Sequence, residues 1–115
     1  MTLREKQSEF CYLVAKLIYF AYGNGYQFTF GETYRSPEES ERLFKLGKGI
    51  KNSLHTKKLA IDLNLFKDGK YLTKTEDYKV LGEYWEMQSQ SGYICHWGGH
   101  FGDGNHFSIG HGGKK

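Results

Sequence analysis

Two short segments, far apart in the chain, constrain the fold more than any other feature of the sequence. The first contains His55 and Asp62, and the second contains Asp103 and His106. Residues 59–66 alternate between leucine or isoleucine and other residues, which predicts a strand with Asp62 on its less apolar face. A fold in which His106 begins another strand of the same sheet would bring the two segments together.

Three of these side chains are the residue types that hold a catalytic zinc ion. Zinc binds imidazole nitrogens and carboxylate oxygens, and a set of three protein ligands leaves a fourth position for water. His55, Asp62 and His106 supply such a set, and the small Ala60 leaves space beside Asp62. Asp103 is then a carboxylate free to act as a general base. Nitrogen and oxygen ligands suit several divalent metals, of which zinc is expected here.

Arg35 is a further candidate because it lies between a predicted strand and a predicted helix. Ser36 at the N-cap, Pro37 at the first helical position and Glu39 predict a capping box, with the helix continuing to about residue 46. An arginine so placed can project into a cleft, where its forked donors would stabilise an oxyanion or hold a carboxylate. The alternative is a structural ion pair.

The remaining pattern predicts a single α+β domain, an antiparallel sheet packed against about three helices. Helices are expected at residues 3–22, at 36–46 and at 77–91, the last with Thr75 as its N-cap. Asp68-Gly69 predicts a hairpin turn. Strands are expected at residues 27–34 (with Phe28 and Phe30 facing the core), 59–66, 71–72, 93–97 and 106–109. Residues 110–115 predict a loose tail.

Composition and charge limit the partners and the location. The formal net charge is +3 over 115 residues, and residues 45–58 contain five lysines and no acid. Such a segment suits a polyanion, and a solvated loop without a partner is the alternative. Since the segment lacks interleaved aromatic residues, an anionic cell wall is favoured over nucleic acid as the partner. Cys11 and Cys95 are expected to be buried free thiols, with a single disulfide as the alternative. The sequence has no membrane-spanning stretch and no signal peptide, so we expect it to begin in the cytosol.

The spacing of these residues resembles the M15 group of zinc D,L-peptidases. The resemblance rests on Ser53-x-His55 followed by Asp62, and on Asp103-x-x-His106. Two further segments, Tyr34-Arg35-Ser36 and Trp97-Gly98-Gly99, are similar to segments of that family. The aspartate before the last histidine matches the phage endolysin branch, whereas the D-Ala-D-Ala dipeptidase and carboxypeptidase branches use glutamate.

The resemblance implies a Hedgehog/D-Ala-D-Ala peptidase-like fold over residues 1–109 and L-alanyl-D-glutamate endopeptidase activity on peptidoglycan. It also implies a monomeric phage endolysin that reaches the wall from the host cytoplasm through a holin. The implied Zn²⁺ ligands are His55, Asp62 and His106. The implied catalytic groups are Asp103 and Arg35. The implied substrate contacts are Arg35, Ser53 and Trp97. The alternatives are a D-Ala-D-Ala carboxypeptidase and a non-catalytic, zinc-stabilised wall-binding module.

Lys58 departs from the family pattern. The family motif Ser-x-His-x-x-Gly-x-Ala-x-Asp has glycine at this position. If the backbone there needs a positive φ, a lysine costs on the order of 1 kcal/mol.

Overall fold

The strand that carries Asp62 lies at the centre of an antiparallel sheet. The computed structural model describes residues 1–50 and 53–115. The central strand, β2, covers Ala60–Lys67. The other strands are β1 Tyr26–Phe30, β3 Lys70–Leu72, β4 Cys95–Trp97 and β5 His106–Ile109. β2 pairs with β1 on one side and with β3 and β5 on the other, and β5 also pairs with β4.

Three α-helices accompany this sheet, which confirms the predicted α+β class. They are α1 Leu3–Gly23, α2 Pro37–Lys45 and α3 Lys79–Met87. Three short 3₁₀ turns connect the elements, at Leu54–Lys57, Thr75–Tyr78 and Gly98–Phe101. Within the described residues, none of the helices combines the length and the apolar character needed to cross a bilayer.

The core lies between one face of the sheet and the helices α1 and α3. Trp85 of α3 is fully buried and makes edge contacts with Phe10 of α1 and Phe107 of β5, at ring-centroid distances of 5.7 and 5.9 Å. Its indole N–H donates to the Ser108 carbonyl at 3.1 Å. The alternation of β2 sends its leucines to this core. Asp62 and the residue opposite it on β5, His106, therefore point to the other face.

The predicted strand at residues 27–34 is shorter than expected. β1 ends at Phe30, although Gly31 and Glu32 still form backbone hydrogen bonds with Asp62, so Arg35 lies between β1 and α2 and not at a strand end. Phe28 packs against the core, but Phe30 is 69% exposed, so its predicted burial is wrong. The reason is that α1 does not close over Phe30 and leaves an open groove beside it, lined by Phe10 and Val14.

The second helix begins as its capping residue predicts. Ser36 caps α2, where its hydroxyl accepts from the Glu39 N–H at 3.1 Å and Pro37 occupies the first helical position. The reciprocal half of the capping box is replaced, because the Glu39 carboxylate accepts from Arg42 Nε at 2.9 Å instead. After α1, Gly25 adopts a φ of 84°, as the Gly-Asn-Gly sequence predicts.

The third helix differs from its prediction at both ends. Thr75 is not an N-cap but the first residue of a 3₁₀ turn that leads into α3, and α3 ends at Met87. The helix stops early because the following residues form other hydrogen bonds. The Ser89 hydroxyl accepts from the Cys95 N–H at 2.8 Å, and Gln90 pairs with Tyr93. The predicted strand at 93–97 is correspondingly reduced to β4.

The remaining local predictions concern the hairpin, the cysteines and the tail. The hairpin between β2 and β3 is confirmed, with φ values of 52° at Asp68 and 76° at Gly69. Both thiols are free, as expected, and Cys95 is buried, but Cys11 is exposed, so its predicted burial is wrong. In residues 110–115 the chain turns so that His111 pairs with Lys114. The loose tail stays a prediction. Of the lysine-rich segment 45–58, residues 51 and 52 lie outside the described residues.

Candidate metal centre

The register between β2 and β5 places two of the expected ligands side by side. Asp62 lies directly opposite His106 in the antiparallel pair. Side chains of directly opposed residues project from the same face of a sheet with their Cβ atoms about 5 Å apart. His106 Nδ1 accordingly lies 3.3 Å from Asp62 Oδ1.

The third ligand, His55, reaches the same place through a tight turn before β2. The Ser53 hydroxyl caps the 3₁₀ turn and accepts from the His55 N–H at 3.2 Å. Lys58 then reverses the chain with a φ of 58° and a ψ of 36°, in the left-handed region. The condition stated for this position in the sequence, a positive φ, is thus met by the backbone. The reversal brings His55 Nε2 to 3.5 Å from Asp62 Oδ1.

His55, Asp62 and His106 offer ligand atoms that all lie within 4.8 Å of one another. In the part of the chain that the structure describes, no other group of histidine, cysteine or acidic residues does so. Two nitrogens and one oxygen at these separations fit a tetrahedral zinc ion with one ligand position remaining. The donor set of this protein therefore suits zinc.

The orientation of the His55 ring is also that of a metal ligand. Its Nδ1 lies 2.9 Å from the Thr33 carbonyl oxygen, which can only accept, so Nδ1 carries the proton. The lone pair of neutral His55 is then on Nε2, which faces Asp62. Hydrogen bonds of this kind fix the tautomer and the ring orientation of metal-binding histidines.

The pKa values of Asp62 and His55 are shifted by their surroundings in the site. Burial works to raise the pKa of the Asp62 carboxyl, but hydrogen bonds from His106 and His55 outweigh it and lower this pKa to about 2. Burial works to lower the pKa of His55, yet the Asp62 hydrogen bond, the Thr33 carbonyl and the nearby charges raise it overall. Asp62 is therefore an anion at neutral pH, as a metal ligand must be.

A glycine-lined turn positions Asp103 and His106. The His106 N–H donates to the Asp103 carbonyl at 3.1 Å, and the Asp103 N–H donates to the Gly98 carbonyl at 2.9 Å. A Cβ on Gly98 would overlap the Asp103 carbonyl and lie 2.7 Å from the His106 Cβ. A Cβ on Gly104 would lie 2.7 Å from the Cα of Thr75. Larger residues at either glycine would therefore displace this turn.

Trp97 stabilises the same turn, which contains Asp103 and Gly104, from the buried side. Its side chain is buried, and its indole N–H donates to the Gly104 carbonyl at 2.7 Å. The ring packs so closely on Gly82 and Gly99 that a Cβ on either glycine would overlap it. Trp97 does not line the cleft over the candidate metal ligands. The structure gives it a supporting place in the fold, and a contact with the substrate stays a prediction.

A cleft of about 470 Å³ covers the three-residue group and is also lined by three further predicted site residues, Arg35, Ser53 and Asp103. Burial, together with the charge of Asp62, raises the pKa of the Asp103 carboxyl, although the two histidines oppose this. Asp103 is not one of the three clustered ligands, so it is a separate carboxylate beside them.

Arg35 is held by two contacts beside the candidate metal ligands. Its backbone N–H donates to the His55 carbonyl at 3.1 Å. Its guanidinium forms an ion pair with the Glu32 carboxylate, and only 14% of the Arg35 side chain is exposed. A Cβ on Gly49 would lie 3.4 Å from Arg35 Nη1, so this glycine lets the loop lie close to the guanidinium.

Two contributors to the site were missed by the sequence analysis. Glu32 pairs with Arg35, and its Oε1 lies 3.8 Å from His55 Nε2. An acid three residues before the candidate arginine is a signal that could have found it. The Thr33 carbonyl that orients His55 leaves no signal in the sequence, since every residue carries such an oxygen.

The other histidines and the basic residues occupy different surroundings. His100 Nε2 lies 2.9 Å from Glu86, away from the three-residue group, and His96 and His111 are also outside that group. Lys48, from the lysine-rich segment, lines the cleft, and so do the two C-terminal lysines. The rim of the cleft is therefore cationic.

The site and fold together define a small α+β domain with a histidine–aspartate–histidine centre on the open face of its sheet. No protein-family profile and no curated protein matches the sequence. Among solved structures, the Serratia marcescens L-Ala D-Glu endopeptidase ChiX superposes with a TM-score of 0.74 and 18% sequence identity, over 90% of this chain and 79% of that chain. The likeness to this kind of peptidase indicated by the motifs is thus confirmed at the level of the fold.

Proposed function

We propose that this protein is a zinc-dependent endopeptidase that cleaves the L-alanyl-D-glutamate bond of peptidoglycan stem peptides. The observation that carries the proposal is the convergence of three potential ligands, His55, Asp62 and His106, in one cleft with Asp103 and Arg35. The fold shared with an L-Ala D-Glu endopeptidase supports the choice of substrate. A phage endolysin that lyses the host cell wall is the biological role we propose for this activity.

His55 Nε2, Asp62 Oδ1 and His106 Nδ1 would hold the zinc ion. When bound, zinc supplies a Lewis acid and lowers the pKa of a coordinated water toward about 7. Other side chains of the cleft would then bind the substrate and transfer the proton.

Asp103 would act as the general base and then as the general acid. Its carboxylate takes a proton from the water that attacks the carbonyl carbon of the L-alanyl residue. It then gives that proton to the nitrogen of the D-glutamyl residue as the C–N bond breaks, so the products are a carboxylate and an amine. A pKa raised by burial suits a group that must both accept and return a proton.

Arg35 would contact the substrate in the same cleft. Its N–H groups can donate to the oxyanion that develops on the attacked carbonyl. Ser53 lines the cleft, but its hydroxyl already caps the turn of His55. We therefore propose that Ser53 contributes mainly by holding His55, with any substrate contact secondary.

The test compares two substitutions on purified peptidoglycan. Asp103→Asn is expected to bind zinc as the unaltered protein does and to lose about 100- to 10,000-fold in the rate of hydrolysis. His55→Ala is expected to lose more than about 100-fold in zinc affinity. Zinc content is measured by elemental analysis, and released peptides are identified by mass spectrometry. His100→Ala, outside the group, serves as the control and should retain both properties.

The products released from peptidoglycan distinguish the candidate functions. New peptides with an amino-terminal D-glutamate support the endopeptidase. Loss of only a terminal D-alanine would identify a D-Ala-D-Ala carboxypeptidase. Binding of zinc and sedimentation with the wall, without release of any peptide, would identify a non-catalytic wall-binding module. Hydrolysis by Asp103→Asn at the unaltered rate would show that the assigned base is wrong.

A further inference from the structure

Glu32 connects the candidate substrate-binding arginine to the candidate metal ligands. Its carboxylate pairs with the Arg35 guanidinium, and the same Oε1 lies 3.8 Å from His55 Nε2. Its backbone carbonyl accepts from the Asp62 N–H at 2.8 Å. The Glu32 side chain is 34% exposed and that of Arg35 is 14% exposed, so this ion pair is partly shielded from water.

The position of Glu32 decides what Arg35 can do in the cleft. An arginine with no anionic partner binds a carboxylate strongly, through two parallel hydrogen bonds. When one side of the guanidinium already holds a carboxylate, the pair carries no net charge, and a second anion gains less by approaching it. The N–H groups that remain can still donate to an uncharged carbonyl oxygen.

We propose that Glu32 is a positioning residue that holds Arg35 beside the metal ligands and weakens its attraction for carboxylates. Arg35 is thereby reserved for the reacting carbonyl and does not trap an anionic product. This inference rests on the proposed function for the role of Arg35. It adds that peptide-bond cleavage, which creates a carboxylate in this cleft, depends on Glu32 for release of that product.

The test is a double-mutant cycle read by ligand binding and by kinetics. Glu32→Gln keeps the size of the side chain and the backbone hydrogen bond to Asp62, but removes the charge. The probe is N-acetyl-L-alanine, which carries the carboxylate that cleavage would create, and its neutral counterpart is N-acetyl-L-alaninamide. Calorimetry on the zinc-loaded protein is expected to show Glu32→Gln binding the carboxylate on the order of tenfold more tightly, with the amide unchanged.

The second arm of the cycle isolates the contribution that passes through Arg35. In an Arg35→Met background, Glu32→Gln is expected to change carboxylate binding by less than about twofold. In steady-state hydrolysis, Glu32→Gln alone should lower kcat and KM together, because the product leaves more slowly. Glu39→Gln is the matched control, since Glu39 also pairs with an arginine three residues away, Arg42, on the exposed surface of α2.

The outcomes are distinct from those that test the proposed function. An equal gain in carboxylate affinity with and without Arg35 would overturn the inference, because Glu32 would then act on the ligand directly. Unchanged binding and kinetics in Glu32→Gln would also overturn it. If the unaltered protein hydrolyses no peptidoglycan, the proposed function fails, whereas the calorimetric cycle still measures the coupling of Glu32 to Arg35.

Discussion

At the scale of single residues, Lys58 shows how the site constrains the backbone. Its φ of 58° lies in the left-handed region, where a side chain costs roughly 1–2 kcal/mol. Its ammonium group lies 5.5 Å from the centroid of the Tyr34 ring, a contact that offsets part of this cost. The left-handed backbone is required at Lys58 because the turn must bring His55 back toward Asp62.

Comparison of Lys58→Gly with Lys58→Ala isolates this backbone cost, because both variants lose the contact with Tyr34. We expect the glycine variant to be more stable by about 1 kcal/mol, measured as the free energy of unfolding in urea. The same pair at Lys57, whose φ is not positive, should show the reverse order by about 0.5–1 kcal/mol. Equal stability of the two Lys58 variants would contradict a strained backbone at this residue.

At the scale of elements, the turn between β4 and β5 depends on close packing around Gly98. A methyl group there would collide with the Asp103 carbonyl and with His106. Gly98→Ala is therefore expected to lower the free energy of unfolding by about 1–3 kcal/mol and to weaken zinc binding. Thermal unfolding and zinc titration measure the two effects. Gly23→Ala is the control, because a Cβ at Gly23 meets nothing within 4 Å. Identical unfolding and zinc binding in Gly98→Ala would refute the packing argument.

The free edge of β1 supplies a second prediction at this scale. β1 pairs only with β2 among the described strands, and the Tyr22 hydroxyl covers its other edge. This hydroxyl accepts from the Phe28 N–H at 3.2 Å and donates to the Phe28 carbonyl at 3.4 Å. Tyr22→Phe should cost about 1 kcal/mol of stability in chemical denaturation. Tyr19→Phe, at an 85% exposed site, should cost nothing measurable, and an equal loss in both variants would count against the role of Tyr22.

At the scale of the whole molecule, the metal should link distant parts of the chain. Zinc bound by the native state but not by the unfolded chain stabilises it by about 4 kcal/mol at a thousandfold excess over Kd. Chelation should therefore lower the unfolding temperature, and added zinc should restore it. His106→Ala should show neither change, while His96→Ala should respond as the unaltered protein does. An unfolding temperature that is insensitive to both chelator and zinc would contradict a metal site at this position.

Local sequence determined much of the fold. The alternation of β2, the Asp68-Gly69 turn, the extent of α1 and the start of α2 follow from interactions among residues close together in the chain, and all were predicted. The three potential ligands were predicted as well, because their residue types and order are distinctive. Lys58 was identified as a position at which a positive φ would matter, and the structure shows that φ.

Only the tertiary structure decided how these parts meet. The opposition of Asp62 and His106 is a matter of strand register, and the orientation of His55 depends on a carbonyl 22 residues earlier in the chain. The exposure of Phe30, the early end of α3 and the pairing of Glu32 with Arg35 depend on which distant groups lie nearby. Sequence patterns record the preferences of short segments, whereas distances of 3–4 Å between remote side chains are set by the packing of the whole domain.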